Sequence, residues 1–253
     1  MSTELQPSKL GTKEHWNQVY AEELTNFQEI GDEGEIWSAI SSTLSTMNFG
    51  LIWKETRFGE ESVEKMVDWS LEHVPPSLNP SVLEVGSGNG TLLFALAEAG
   101  YTQKLLSGID YSGDAVNLAR NVAQTRDAAE VTFTECDFLE DDPSLLPSME
   151  NTNPLACWDL ILDKGTYDAI ALGRKDETGK SPAARYPARV ARLLKPGGIF
   201  LITSCNFTEE ELKQSFVTEE TGLIYHSRIQ HPTFSFGGHT GSSVSSVAFR
   251  RPV

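Results

Sequence analysis

Residues Val82 to Gly90 read VLEVGSGNG. Val82, Leu83 and Val85 suit a buried strand, and Gly86, Gly88 and Gly90 follow at once. Glycines at such a bend reach positive φ and let a ligand lie against the backbone. A helix starting just after them turns its free N–H groups toward the same crevice. In open α/β sheets, ligands bind beyond the carboxyl ends of the strands. Two ligand classes use this geometry. A dinucleotide calls for Gly-x-Gly-x-x-Gly, with its pyrophosphate at the helix start; here the third glycine comes one residue early. Glu84 lies two residues before the first glycine, where it would repel a pyrophosphate and attract a cationic methionine moiety, directly or through water. The set predicts an S-adenosylmethionine site at Glu84, Gly86, Gly88 and Gly90, with a nicotinamide dinucleotide as the alternative. A glycine-rich turn alone is equally a structural bend.

Two further carboxylates fall at expected strand ends. Asp110, in LLSGIDYS, can accept both ribose hydroxyls, with Tyr111 beside it; it could equally cap the helix that starts near Ser112. In Cys136-Asp137-Phe138, Asp137 can accept from an adenine amino group and Phe138 can lie against the ring. The other reading is a turn aspartate and a core phenylalanine.

The elements that must position these residues follow from periodicity. Trp16, Val19, Tyr20 and Leu24 predict an amphipathic helix over Glu14–Glu29, and Val63, Met66, Val67, Trp69 and Leu71 a second over Glu60–His73, stopped by Pro75 and Pro76. A polar stretch, Ser38–Thr46, separates them. Short apolar runs then alternate with helical ones. Strands are expected at Ser81–Val85, Lys104–Asp110, Val131–Glu135, Trp158–Leu162 and Ile199–Thr203, the last entered through the turn Pro196-Gly197-Gly198. Helices are expected at Thr91–Glu98, Gly113 to about Gln124, Pro187–Leu194 and Thr208–Phe216, and Glu140–Asn153 reads as a loop. Residues 223–229 and 244–250 alternate as antiparallel strands around a Gly-rich loop, Phe236–Gly241. Alternating strands and helices imply a parallel sheet covered on both faces, with a terminal hairpin at one edge.

Bulk properties narrow the function. The 253 residues suit one domain, and hydrophobic and charged shares of 39% and 22% are ordinary for a globular protein. No run of eighteen apolar residues suggests a membrane span, and the first sixteen residues do not read as a secretory signal. Cys136, Cys157 and Cys205 make no CxxC pair and read as reduced thiols, and the five histidines lack metal-binding spacing, so no metal is expected. A net charge of −16 disfavours nucleic acid and favours basic partners; it equally serves solubility alone. The expected setting is cytoplasmic and monomeric.

The glycine bend, Asp110, Cys136-Asp137-Phe138 and LLKPGG (Leu193–Gly198), in that order, resemble the seven-stranded class I methyltransferases. Trp158–Ile170 (WDLILDKGTYDAI), Leu10–Trp37 (LGTKEHWNQVYAEELTNFQEIGDEGEIW) and Phe58–Trp69 (FGEESVEKMVDW) are similar to the lysine methyltransferase branch containing the elongation factor 1-alpha enzymes. That resemblance covers most of the chain. It implies a doubly wound, mostly parallel seven-stranded sheet of Rossmann-like class with a C-terminal antiparallel hairpin. It also implies S-adenosylmethionine as cofactor and transfer of one or two methyl groups to a lysine of translation elongation factor 1-alpha. Asp163, at the end of the fourth strand, is then the group that orients the amine, and Tyr167 a wall of the lysine channel; a capping Asp163 and a core Tyr167 are the alternatives. Lys164 reads as a surface or structural charge. Residues 1–37 would close on the cofactor, with Trp16 and Tyr20 over it or packed on the sheet. His231 and Phe234–Gly241 fall on the substrate side. The chain departs from the family at Ser38–Arg57, read as an inserted surface loop or retained intron sequence.

Overall fold

A computed structural model describes residues 5–34, 49–147, 156–232, 234–236, 239–241 and 244–253, of which 49–58, 234–236 and 239–241 are described as backbone. In chain order the elements are α1 (Lys13–Ile30), α2 (Phe49–His73), β1 (Val82–Val85), α3 (Thr91–Glu98), β2 (Leu106–Asp110), α4 (Gly113–Thr125), β3 (Thr132–Glu135) and β4 (Trp158–Lys164). They continue with α5 (Thr166–Ala171), α6 (Tyr186–Leu193), β5 (Leu194–Ser204), α7 (Glu209–Phe216), β6 (Ile224–Ile229), β7 (Phe234–Phe236), β8 (His239–Gly241) and β9 (Ser245–Arg250).

Seven strands form one sheet in the order β3-β2-β1-β4-β5-β9-β6. β1 to β5 pair in parallel, and β9 runs antiparallel between β5 and β6. The central strands are apolar on both sides because helices cover both sides. Val82, Leu160, Leu162 and Leu201 face a layer from α2, α3 and α4 that includes Met66, Leu93 and Leu118. Leu83, Val85, Ile161 and Phe200 face the opposite layer, with Tyr167, Tyr186 and Phe216. Successive strand residues therefore alternate between two separate cores. Strand order reverses beside β1, where β2 leads one way and β4 the other, so the crevice lies above these carboxyl ends.

Several expectations shift. β5 starts at Leu194, so Pro196-Gly197-Gly198 lies within the strand; Gly197, at φ +83, donates its N–H to Arg251 O across the bulge. The six-residue α5 was not anticipated, because one and a half turns carry little periodic signal. A short hairpin, β7–β8, stands where a Gly-rich loop is predicted. α2 begins at Phe49, eleven residues before the expected Glu60, so the second part of the family-atypical segment is helical. The polar stretch Ser38–Thr46 lies outside the described residues. Among the described residues no helix is long and apolar enough to cross a membrane.

Candidate active site

A cavity of ≈ 260 Å³ opens at the carboxyl ends of the parallel strands. Its wall is built from Glu84 to Asn89, Asp110 and Tyr111, Cys136 to Leu139, Lys164 to Thr166, Asp168, and Asn206, with Leu10, Gly11, Trp16 and Tyr20 arriving from the N-terminal segment. Each strand from β1 to β5 thus contributes the residues at or just beyond its end.

The turn after β1 needs its first two glycines for different neighbours. Gly86 sits at φ +69, and a Cβ there would lie 1.9 Å from Thr166 Oγ1. Gly88 sits at φ +53, and a Cβ would lie 2.6 Å from the Tyr20 hydroxyl. Gly90 is different. It is the N-cap residue of α3 and is backed by Phe94 and Phe133, so it shapes the turn and does not line the cavity. Its predicted contact with a cofactor is corrected to a structural role.

Asp110 is buried, and its two carboxylate oxygens accept from Gly88 N at 3.1 Å and Ser112 N at 2.9 Å. It therefore ties the glycine turn to the start of α4 while lining the cavity. Burial pushes its pKa to about 6, against the pull of these N–H groups. Glu84 is 2% exposed, and its Oε2 has no hydrogen-bond partner among the described residues. Burial raises it to about 8, against the attraction of Lys164. Burial in turn lowers the Lys164 ammonium, with Glu84 countering. Lys164, expected as a surface or structural charge, is thus half-buried in the cavity wall. Asp137 accepts from Leu139 N at 3.0 Å, and Phe138 meets Tyr186 at 4.8 Å; both line the cavity.

α1 lies against the same turn. Trp16 donates its indole N–H to Leu10 O at 2.7 Å and stacks on Tyr20 at 6.1 Å. Tyr111 donates its hydroxyl to Thr12 O at 3.4 Å, and Asn89 Nδ2 donates to Glu33 O at 3.0 Å. Trp16 and Tyr20 line the cavity and pack on the core.

Asp163 and Tyr167 require correction. Asp163 is fully buried and accepts from Thr166 N at 2.8 Å, Tyr167 N at 3.0 Å and the Tyr186 hydroxyl at 2.5 Å. Tyr167 packs among Tyr186, Phe207 and Phe216 at centroid distances of 5.3, 5.0 and 5.2 Å. Neither lines the cavity. The reason is the cover over Asp163, which Tyr186 and the start of α5 supply. Asp163 pairs with Val85 and Leu162 with Glu84, so Asp163 falls on the α6–α7 side while Lys164 and Glu84 share the other. His231 also stays off the wall; its Nε2 meets Ser246 Oγ at 2.8 Å.

Asp168 and Asn206 were not foreseen. Asn206 lies just beyond β5 as Cys136 lies just beyond β3, so the rule that strand ends form the mouth could have found it. Asp168 is found only through its hydrogen bonds to the end of β5.

Burial raises four carboxyls: Glu84 to about 8, Asp163 to about 7, and Asp110 and Asp168 to about 6. A raised carboxyl favours the fold while protonated, and that contribution is lost as pH climbs through its folded value. Lys164, being lowered, opposes this trend. The thermal midpoint is expected to drop by about 5 °C between pH ~5 and ~8. A scanning calorimetry series showing a flat or rising midpoint would contradict the burial-dominated assignment.

A doubly wound sheet in this order, with a carboxylate-preceded glycine turn at its mouth, defines a class I methyltransferase architecture. The Methyltransferase domain family matches residues 77–238. Solved structures agree on the fold: magnesium protoporphyrin IX methyltransferase from Synechocystis PCC 6803, with bound SAM, aligns with TM-score 0.55 at 18% identity over 92% of this chain and 97% of that one. The N-methyltransferase NodS from Bradyrhizobium japonicum WM9, in complex with S-adenosyl-l-homocysteine, aligns with TM-score 0.58 at 16% identity over 94% and 99%. Curated relatives are much nearer in sequence. The chain is 40% identical to protein-lysine N-methyltransferase efm4 of Schizosaccharomyces pombe, over 97% of this chain and 95% of the relative. It is 36% identical to EEF1A lysine methyltransferase 2 of Homo sapiens, over 97% and 88%. The chain belongs to this family of protein-lysine N-methyltransferases.

Proposed function

We propose that the chain uses S-adenosylmethionine to methylate a lysine of translation elongation factor 1-alpha, adding one or two methyl groups, as a monomeric cytoplasmic enzyme. The observation that carries the cofactor reading is the pairing of a glycine turn with two buried carboxylates, Glu84 and Asp110, on one cavity wall. The residues fit that group. Gly86 and Gly88 line the cavity without side chains, Glu84 Oε2 has no hydrogen-bond partner among the described residues, and Asp110 keeps acceptor capacity on both oxygens. The target reading is supported by the names and near-complete coverage of the relatives, and by a charge of −16 suited to a basic partner.

When bound, the cofactor supplies a methyl group on a sulfonium, displaced in line by a neutral amine. Asp110 would accept from the ribose hydroxyls, and Asp137 and Phe138 would hold the adenine end. Glu84, its pKa raised by burial, would face the methionine end, where a bound cation would favour its ionised form. Trp16, Tyr20 and Tyr111 exclude water from above the turn. A free lysine amine has a pKa of about 10.4 and must shed a proton to water before reacting. Burial in the cavity would disfavour the charged amine and so favour the neutral form.

The test is mass spectrometry of elongation factor 1-alpha from cells lacking this protein. One lysine is expected to lose its methyl groups, and restored expression to return them. Unchanged methylation at every lysine would remove the target from the proposal.

A further inference from the structure

The cavity extends past the residues assigned to the nucleoside. Those lie at the ends of β1, β2 and β3, on one side of the strand-order reversal. On the other side, beyond β4 and β5, the wall carries polar groups that the cofactor reading leaves unused, above all Asn206. Its Nδ2 is buried and has no hydrogen-bond partner among the described residues. A buried polar group without a partner costs stability, and folded proteins keep few of them without a later use.

The backbone of Asn206 is firmly held. Asp168, 1% exposed, accepts from Ser204 Oγ at 2.5 Å and from Cys205 N at 2.7 Å. Ser204 Oγ in turn accepts from Asn206 N at 3.2 Å and Phe207 N at 2.9 Å. The backbone of Asn206 is thus fixed where the residue lines the cavity, and a fixed anchor is what in-line chemistry requires.

We infer that Asn206 grips the acceptor amine, with Asp168 as the positioning residue that holds it through Ser204 and Cys205. This rests on the amine-methylation reading above. A carboxamide has an acceptor oxygen and a donor NH2 of nearly the same shape, so a half-turn of the amide presents either. The oxygen accepts one N–H of the amine and aims the nitrogen lone pair toward the methyl group. Being uncharged, it does this without stabilising the unreactive ammonium form, as a carboxylate would. The S–CH3 bond breaks as the N–CH3 bond forms; the electron pair stays on sulfur, and the proton of the methylated amine leaves to water.

The test uses the full chain, a lysine-bearing protein substrate, and the variants Asn206→Ala and Asn206→Asp. The alanine variant is expected to melt no lower than wild type, since it removes an unpartnered buried amide. Its calorimetric affinity for S-adenosylmethionine should stay within about twofold, while kcat falls about 10- to 100-fold. Asn206→Asp keeps an acceptor but holds the ammonium, so the rising limb of its pH–rate profile should move up by about one unit. Turnover by Asn206→Ala within twofold of wild type would overturn the assignment. So would a loss of cofactor affinity matching the loss of rate, which would place Asn206 on the cofactor. Wild-type protein that binds the cofactor yet methylates no lysine would overturn the amine-methylation reading and this inference together.

Discussion

Replacing Asp110 by alanine is expected to weaken S-adenosylmethionine binding about a thousandfold, while the sheet stays folded. The magnitude follows from two hydrogen bonds between ribose hydroxyls and a carboxylate, each worth about 1.5–3 kcal/mol when one partner is charged. Indirect loss adds to this, because Asp110 Oδ2 also accepts from Gly88 N and holds the glycine turn in place. The fold should tolerate the change. Burial raises this carboxyl to about 6, so alanine removes a desolvation cost that partly offsets the lost acceptor for Gly88 N and Ser112 N. Isothermal calorimetry with the cofactor, beside a thermal melt, separates the two effects. Affinity within tenfold of wild type would show that the ribose is held elsewhere.

Asp163→Ala should behave in the opposite way and destabilise the fold by about 4 kcal/mol. Asp163 is the shared acceptor for the Tyr186 hydroxyl and for the first two N–H groups of α5, at a site closed to water. Deleting it strands three donors, each costing about 1–3 kcal/mol. Domains of this kind have only about 5–15 kcal/mol to lose. Asn at this position keeps one acceptor oxygen and should cost about half as much. Urea unfolding measures both. An alanine variant as stable as wild type but unable to transfer methyl groups would return Asp163 to the catalytic role that its place in DKGTY suggests.

The two aspartates show how far strand-end reasoning carries. Asp110 and Asp163 both terminate apolar runs at the mouth of a parallel sheet, and linear position treats them alike. Asp110, Glu84, Asp137 and Phe138 do reach the cavity wall, and Asp163 does not. The difference is the face combined with its cover, Tyr186 and the start of α5 in the case of Asp163. With Val85 opposite Asp163 and Glu84 opposite Leu162, the two acidic side chains leave the sheet from opposite faces. A strand buried on both sides lacks the polar–apolar alternation that would mark this in the sequence. Lys164, read as a surface or structural charge, is half-buried in the cavity wall. A lysine one residue past an apolar run looks solvated until its neighbours across the sheet are known.

Local chemistry in the chain was enough to determine the alternation of strands and helices, the glycine bend with its preceding carboxylate, and an acidic residue at the end of the second strand. These depend on residues close together in sequence, where apolar period and glycine spacing act directly on the backbone. Tertiary structure alone decided which face each strand-end residue uses, that α1 lies against the glycine turn, and that Asp168 and the end of β5 combine to present Asn206. Those outcomes depend on which strands become neighbours and in what register, and hydrogen bonding between distant segments carries no signature in either segment by itself.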